Sequence, residues 1–234
     1  MTTLNLPGGA VTLTAGPVPA AVEGWNRIAY AAAHVVANPL ADNDPWIDCA
    51  VDWDRTLAFR EHLWSLGLGV AEAMDTAQRG MGLDWPTSLD LIRRSAAMAN
   101  AGGHLIASGA GTDHLAPEPG VTVDDVIGAH EEQCEAVEAA GSRVILMASR
   151  ALVRAANGAE DYARVYERVL GGLSQPAILH WLGEMFDPSL AGYWGASDHL
   201  TAMDTAVSVI SQNADKVDGI KISLLSAEKE IAMR

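Results

Sequence analysis

The chain is poor in lysine. Of its 15 basic residues only Lys216, Lys221 and Lys229 are lysines, against 30 acidic residues and a net charge of −15. No Lys/Arg cluster is there to neutralise phosphates, so neither nucleic acid nor an anionic membrane is an expected partner. Cysteine is scarcer still. Cys49 and Cys134 lie far apart and form no metal or redox spacing, which predicts buried or half-buried free thiols. The most apolar stretch, Ile28 to Val36, is far too short to cross a bilayer. The opening MTTLNLPGGAVTLTAGPV has no basic n-region and no apolar h-region, so a cytoplasmic location is expected. At 234 residues, one large domain has ample chain to bury a core.

What the sequence does contain is alternation. Residues 1–26 read as a small N-terminal hairpin or cap, with LPGG supplying a turn. Over residues 27–234, the apolar runs RIAYAAAHVV, LGLGVAEAM, GHLIASGAG, RVILMAS, PAILHW and VDGIKIS alternate with longer stretches of helical period. Several of those stretches open with Asp, Thr or Pro, as helix starts should. Strand–helix alternation means parallel strands with helical crossovers, as in a (βα)8 barrel or a doubly wound sheet. Neither GxGxxG nor GxxxxGKS follows the first run, which removes support for the nucleotide-binding forms of the doubly wound sheet.

In a barrel, chemistry gathers at the C-terminal ends of the strands. Those ends carry His34, then Glu72, Asp75 and Thr76, then Thr112, Asp113 and His114, then Ser149 and Arg150, then His180, Trp181 and Glu184, and finally Lys221 with Ser223. Strand alternation puts Gly219, Lys221 and Ser223 on one face and Ile220 and Ile222 on the other. The isoleucines suit a helix-packed face, and the lysine suits the barrel mouth. Desolvated there, its amine is available as nucleophile or base. Paired with Glu72 or another inward carboxylate, it is purely structural. His180 reads as a general acid/base, a metal ligand or a core histidine. Arg150 suits a bidentate hold on carboxylate or phosphate, or a surface ion pair.

The order of these segments from Ile28 to Leu225 resembles the dihydrodipicolinate synthase / N-acetylneuraminate lyase superfamily, in an uncharacterised, domain-of-unknown-function branch. VDGIKIS is similar to the family's sixth strand, and the resemblance gives Lys221 the role of imine-forming lysine. HLIASGAGTD resembles the third strand with its glycine-rich end. PAILHW resembles the fifth strand, where the family's PxxLYN tyrosine falls on His180. Two motifs depart from the family: AEAMDTA stands where GTTGE binds the substrate carboxylate, and MASRAL replaces the tyrosine-bearing PYYN. The lysine is kept while the apparatus around it is rewritten.

The expected fold is therefore α/β, a (βα)8 TIM barrel of the Schiff-base aldolase type, truncated after its sixth strand, since only SAEKEIAMR follows Leu225. An open edge of that kind is expected to leave Lys221 hydrated and its pKa unlowered, and the chain alone inactive or poorly soluble. The expected function is a cofactor-independent carbon–carbon lyase or aldolase acting on a small keto acid or sugar-derived carbonyl compound, in a homo-oligomer. Lys221 and His180 are its expected catalytic residues, with Glu72, Asp75, Thr76, Asp113, Arg150 and Ser223 binding substrate. A divalent-metal isomerase or aldolase is the alternative, with His34, Glu72, Asp113, His114, His180 and Glu184 as ligands. A non-catalytic barrel is the third reading.

Overall fold

The computed structural model describes residues 2–17, 26–44, 47–115 and 118–234. Strands β1 (Thr2–Leu6) and β2 (Gly9–Leu13) pair antiparallel around Pro7–Gly8, with every strand residue exposed. The six apolar runs then supply β3 (Tyr30–Ala32), β4 (Gly69–Glu72), β5 (Ile106–Ala110), β6 (Arg143–Leu146), β7 (Ala177–Leu182) and β8 (Val217–Ser223). These make one parallel sheet in strict chain order, β3-β4-β5-β6-β7-β8. A doubly wound sheet would reverse direction at a switch point. This one runs on and curls into a half-barrel, with β3 and β8 at its edges.

The crossovers are α1 (Trp53–Ser65), α2 (Trp85–Gly102), α3 (Val123–Ala139), the short α4 (Arg150–Ala155) with α5 (Ala159–Gly172), and α6 (His199–Gln212); α7 (Ala227–Met233) follows β8. Their starts follow from local chemistry. Asp52, Asp84 and Asp198 each accept a backbone N–H at the helix entrance, and Thr122 with Asp125 closes a reciprocal capping box. Gly103 ends α2 in the left-handed region at φ 66°, which costs glycine little. In α5, Tyr162, Val165, Tyr166, Val169 and Leu170 are all buried, a stripe at helical spacing that faces the core.

Two apolar layers sandwich the sheet. On the convex side, Val144, Leu146, Ala177 and Leu179 pack under the helices with Leu91, Val126, Tyr166 and Val169. On the concave side, Ala71, Ala107, Ile145 and Met147 pack with Met74, Tyr30 and Ile178. Small residues there leave room for the thioethers. A Cβ on Gly109 would lie 2.6 Å from Met147 Sδ and 2.8 Å from the Ala73 carbonyl oxygen.

A register shift at the start of β7–β8 sets the site's geometry. Ala177 pairs with Val217 but Ile178 pairs with Gly219, so Asp218 is passed over. From there Ile178, His180 and Leu182 stand beside Gly219, Lys221 and Ser223. Since side chains alternate, a one-residue slip would put His180 and Lys221 on opposite faces. Asp218, set apart by the shift, pairs with Arg143 at 2.6 Å.

Candidate active site

His180 and Lys221 meet on the concave face. Lys221 Nζ lies 2.8 Å from His180 Nε2 and donates to Ser223 Oγ at 2.9 Å; His180 Nε2 is itself 3.4 Å from that hydroxyl. His180 is 1% exposed. Burial first, and the neighbouring lysine charge second, push its pKa down to about 3, so it is neutral at physiological pH. Burial also lowers the pKa of Lys221, opposed by the Asp75 carboxylate. The expectation of a hydrated, unperturbed Lys221 at an open edge is thus corrected. The lysine is half-buried, because the imidazole and the Ser223 hydroxyl cover its head.

Asp75 completes the group. It opens a short 3₁₀ turn (Asp75–Ala77) just past β4, and its Oδ2 stands 3.5 Å from His180 Nδ1. The two are close but not aligned as a hydrogen bond, so Nδ1 of the neutral ring is without a hydrogen-bond partner among the described residues. Burial pushes the Asp75 carboxyl up, against the pull of Lys221, Arg150 and Arg79.

Asp75 also lines a cavity of about 250 Å³ at the strand ends, together with Arg79, Thr112, Asp113, Arg150 and Leu182. Asp113 is committed there to Arg79, whose Nη2 and Nε donate to its two oxygens at 2.9 and 3.2 Å. Burial works to raise the Asp113 pKa, but the guanidinium and the Gln133 amide hold it below the ordinary value. Arg79, 2% exposed, also donates to the Gly109 and Ala73 carbonyls and to Gln133, and lies 4.9 Å from the centre of the Trp85 ring. It reads as a rigid cavity wall. Arg150, more exposed, donates through Nε to Asp187.

Other sequence candidates lie elsewhere. Glu72 is on the opposite face from the inward Ala71, fully buried, with both oxygens held by Arg60 at 2.7 and 2.8 Å. It is therefore neither beside the cavity nor the partner of Lys221. Thr76 is half-buried in the 3₁₀ turn and is not part of the cavity wall. His34 and Glu184 are exposed, and His114 bonds Gln133 at 2.7 Å and Glu132 at 3.2 Å. The six residues of the metal alternative do not converge: among the described residues no three His, Cys, Asp or Glu side chains are grouped to hold an ion.

Sequence reasoning missed Arg60 and Arg79. Arg60 did leave a signal. It lies on the stripe Thr56, Arg60, Leu63, Trp64 of α1, where a buried cation requires a carboxylate. Arg79 sits in an irregular loop where periodicity says nothing.

The profile of a family described as a protein of unknown function, DUF993, matches residues 11–234. The chain belongs to the DUF993 family. No curated protein sequence matches it. Among solved structures, this DUF993 chain is similar in fold to dihydrodipicolinate synthase from Oceanobacillus iheyensis, with a TM-score of 0.51 and 15% identity over 85% of this chain and 68% of that one. It is also similar to dihydrodipicolinate synthase from Agrobacterium tumefaciens str. C58, with a TM-score of 0.58 and 14% identity over 87% of this chain and 61% of that one. The chain spans roughly two thirds of the length of these synthases. The expected fold, a barrel of this type ending after its sixth strand, is borne out, and the expected family of unknown function is the DUF993 family. Among the described residues, no helix is long and apolar enough to cross a membrane.

Proposed function

We propose that this DUF993 chain carries the reactive centre of a Schiff-base-forming carbon–carbon lyase or aldolase acting on a small keto acid or sugar-derived carbonyl compound. The observation that carries this reading is the 2.8 Å approach of Lys221 Nζ to a neutral, buried His180 Nε2. The Lys221 amine, once free of its proton, adds to the substrate carbonyl carbon. The carbonyl oxygen takes two protons, that one and a second lost from the nitrogen after addition, and leaves as water; the nitrogen keeps one hydrogen and is left as a protonated imine. That imine accepts the electron pair released when the neighbouring carbon–carbon bond breaks. His180 Nε2, within hydrogen-bond reach, carries the two protons in turn from the Lys221 nitrogen to the departing oxygen.

The cavity beyond Asp75 suits a small polar substrate. Arg150, on its wall, suits a carboxylate, and Ser223 suits a hydroxyl or the carbinolamine oxygen. The experiment is reductive trapping. Borohydride added with a panel of small 2-keto acids and keto sugars should leave a stable adduct on Lys221. Adducts confined to Lys216 or Lys229, or unimpaired turnover by Lys221→Ala, would contradict the mechanism.

A further inference from the structure

We propose that Asp75 is a positioning residue that acts through His180, fixing the imidazole as the tautomer protonated on Nδ1 so that Nε2 is free to accept a proton from Lys221. The catalytic meaning of this arrangement rests on the lyase reading above; the arrangement itself does not.

A lysine ammonium has donors only, so at 2.8 Å from Lys221 Nζ the nitrogen His180 Nε2 is an acceptor. A neutral imidazole then carries its proton on Nδ1. That N–H lies inside a side chain 1% exposed and has no hydrogen-bond partner among the described residues, while Asp75 Oδ2 stands 3.5 Å from it. A small rotation of the Asp75 side chain converts this approach into a hydrogen bond, as when catalytic contacts tighten around a substrate. Asp75 has space to rotate, because its other side borders the cavity. Burial has the larger effect on Asp75 and raises its pKa, while Lys221, Arg150 and Arg79 pull it down, and a carboxyl oxygen is an acceptor for that N–H.

In the other tautomer, the Nδ1 lone pair would face a carboxylate and Nε2–H would face an ammonium. Both contacts are repulsive. Asp75 and Lys221 thus impose the same tautomer from the two sides of one ring. The line Asp75–His180–Lys221 joins the ends of β4, β7 and β8, so the curl of the sheet assembles it.

The test is the ¹⁵N spectrum of histidine-labelled full chain near neutral pH, with the His180 signals assigned by their loss in His180→Gln. In the unaltered protein Nδ1 should resonate as protonated and Nε2 as an unprotonated acceptor. Asp75→Leu leaves Lys221 as the one group favouring Nδ1–H, so it should raise the share of the Nε2-protonated tautomer above that of the unaltered protein. Asp75→Asn, which keeps an acceptor oxygen and guards against a folding failure, should retain Nδ1–H. It should also lower the pH at which Lys221 becomes reactive to an amine-specific reagent, because the carboxylate that raises its pKa is gone. A wild-type His180 protonated on Nε2, or an Asp75→Leu spectrum identical to wild type, would overturn the inference. Neither readout needs turnover. Failure of reductive trapping with the predicted tautomer intact would therefore count against the lyase reading alone.

Discussion

His180 and Lys221 are register partners on adjacent parallel strands, and His180 Nε2 and Lys221 Nζ lie 2.8 Å apart. The pairing depends on the strand irregularity at Asp218, which brings the two side chains to the same concave face. One consequence is kinetic. His180→Phe keeps a ring of similar shape in the site but removes the proton acceptor. It should lower kcat by roughly 10²- to 10⁴-fold, the usual worth of acid–base catalysis, with little loss of thermal stability.

Stability should fall in mild acid. His180 and His130 are 1% and 2% exposed, and burial pushes both pKa values down from 6.5 to about 3. A histidine whose folded pKa lies below its unfolded value adds full stability above pH 6.5 and loses it as pH falls towards 3. Urea midpoints measured across that window should decline. His180→Phe should remove a substantial part of the decline, and an unchanged pH dependence in that variant would count against a neutral, buried His180.

Activity should also rise with pH, through Lys221. Burial favours the free amine, so the limb of kcat/KM that rises with pH should lie below the 10.5 of an ordinary lysine. A limb at that ordinary value would mean a hydrated amine.

Glu72 should prove structural. Glu72→Gln leaves the fully buried Arg60 without its counter-charge, a change that typically costs about 3–5 kcal/mol. The double replacement Arg60→Leu with Glu72→Leu should cost less than the single one, as read by chemical denaturation. A Glu72→Gln variant of native stability but lower turnover would instead give Glu72 a role with substrate.

The sequence made the fold legible because each signal was local. All six apolar runs became strands of the parallel sheet, and the Asp and Thr entrances became real caps. The facing of Lys221 was legible too, since alternation within VDGIKIS needs no knowledge of neighbours; Ile220 and Ile222 do pack against the helix-side core. What stayed hidden depends on two segments at once. Glu72 looked like a strand-end acid until α1 supplied Arg60 from the other face. Asp113 looked free until Arg79 claimed it. The short α4 (Arg150–Ala155), capped by Ser149, was too brief for a periodic pattern.

The central claim is that Lys221 is the nucleophile, and the small number of lysines makes it directly testable. With only Lys216, Lys221 and Lys229 in the chain, peptide mass spectrometry after borohydride reduction can assign an adduct to one of three sites. The account predicts a substrate-dependent mass increase on Lys221, absent from Lys221→Ala, with circular dichroism of that variant unchanged. Reduction that leaves Lys221 unmodified across the panel of keto acids and keto sugars, or that labels Lys216 and Lys229 equally well, would contradict it.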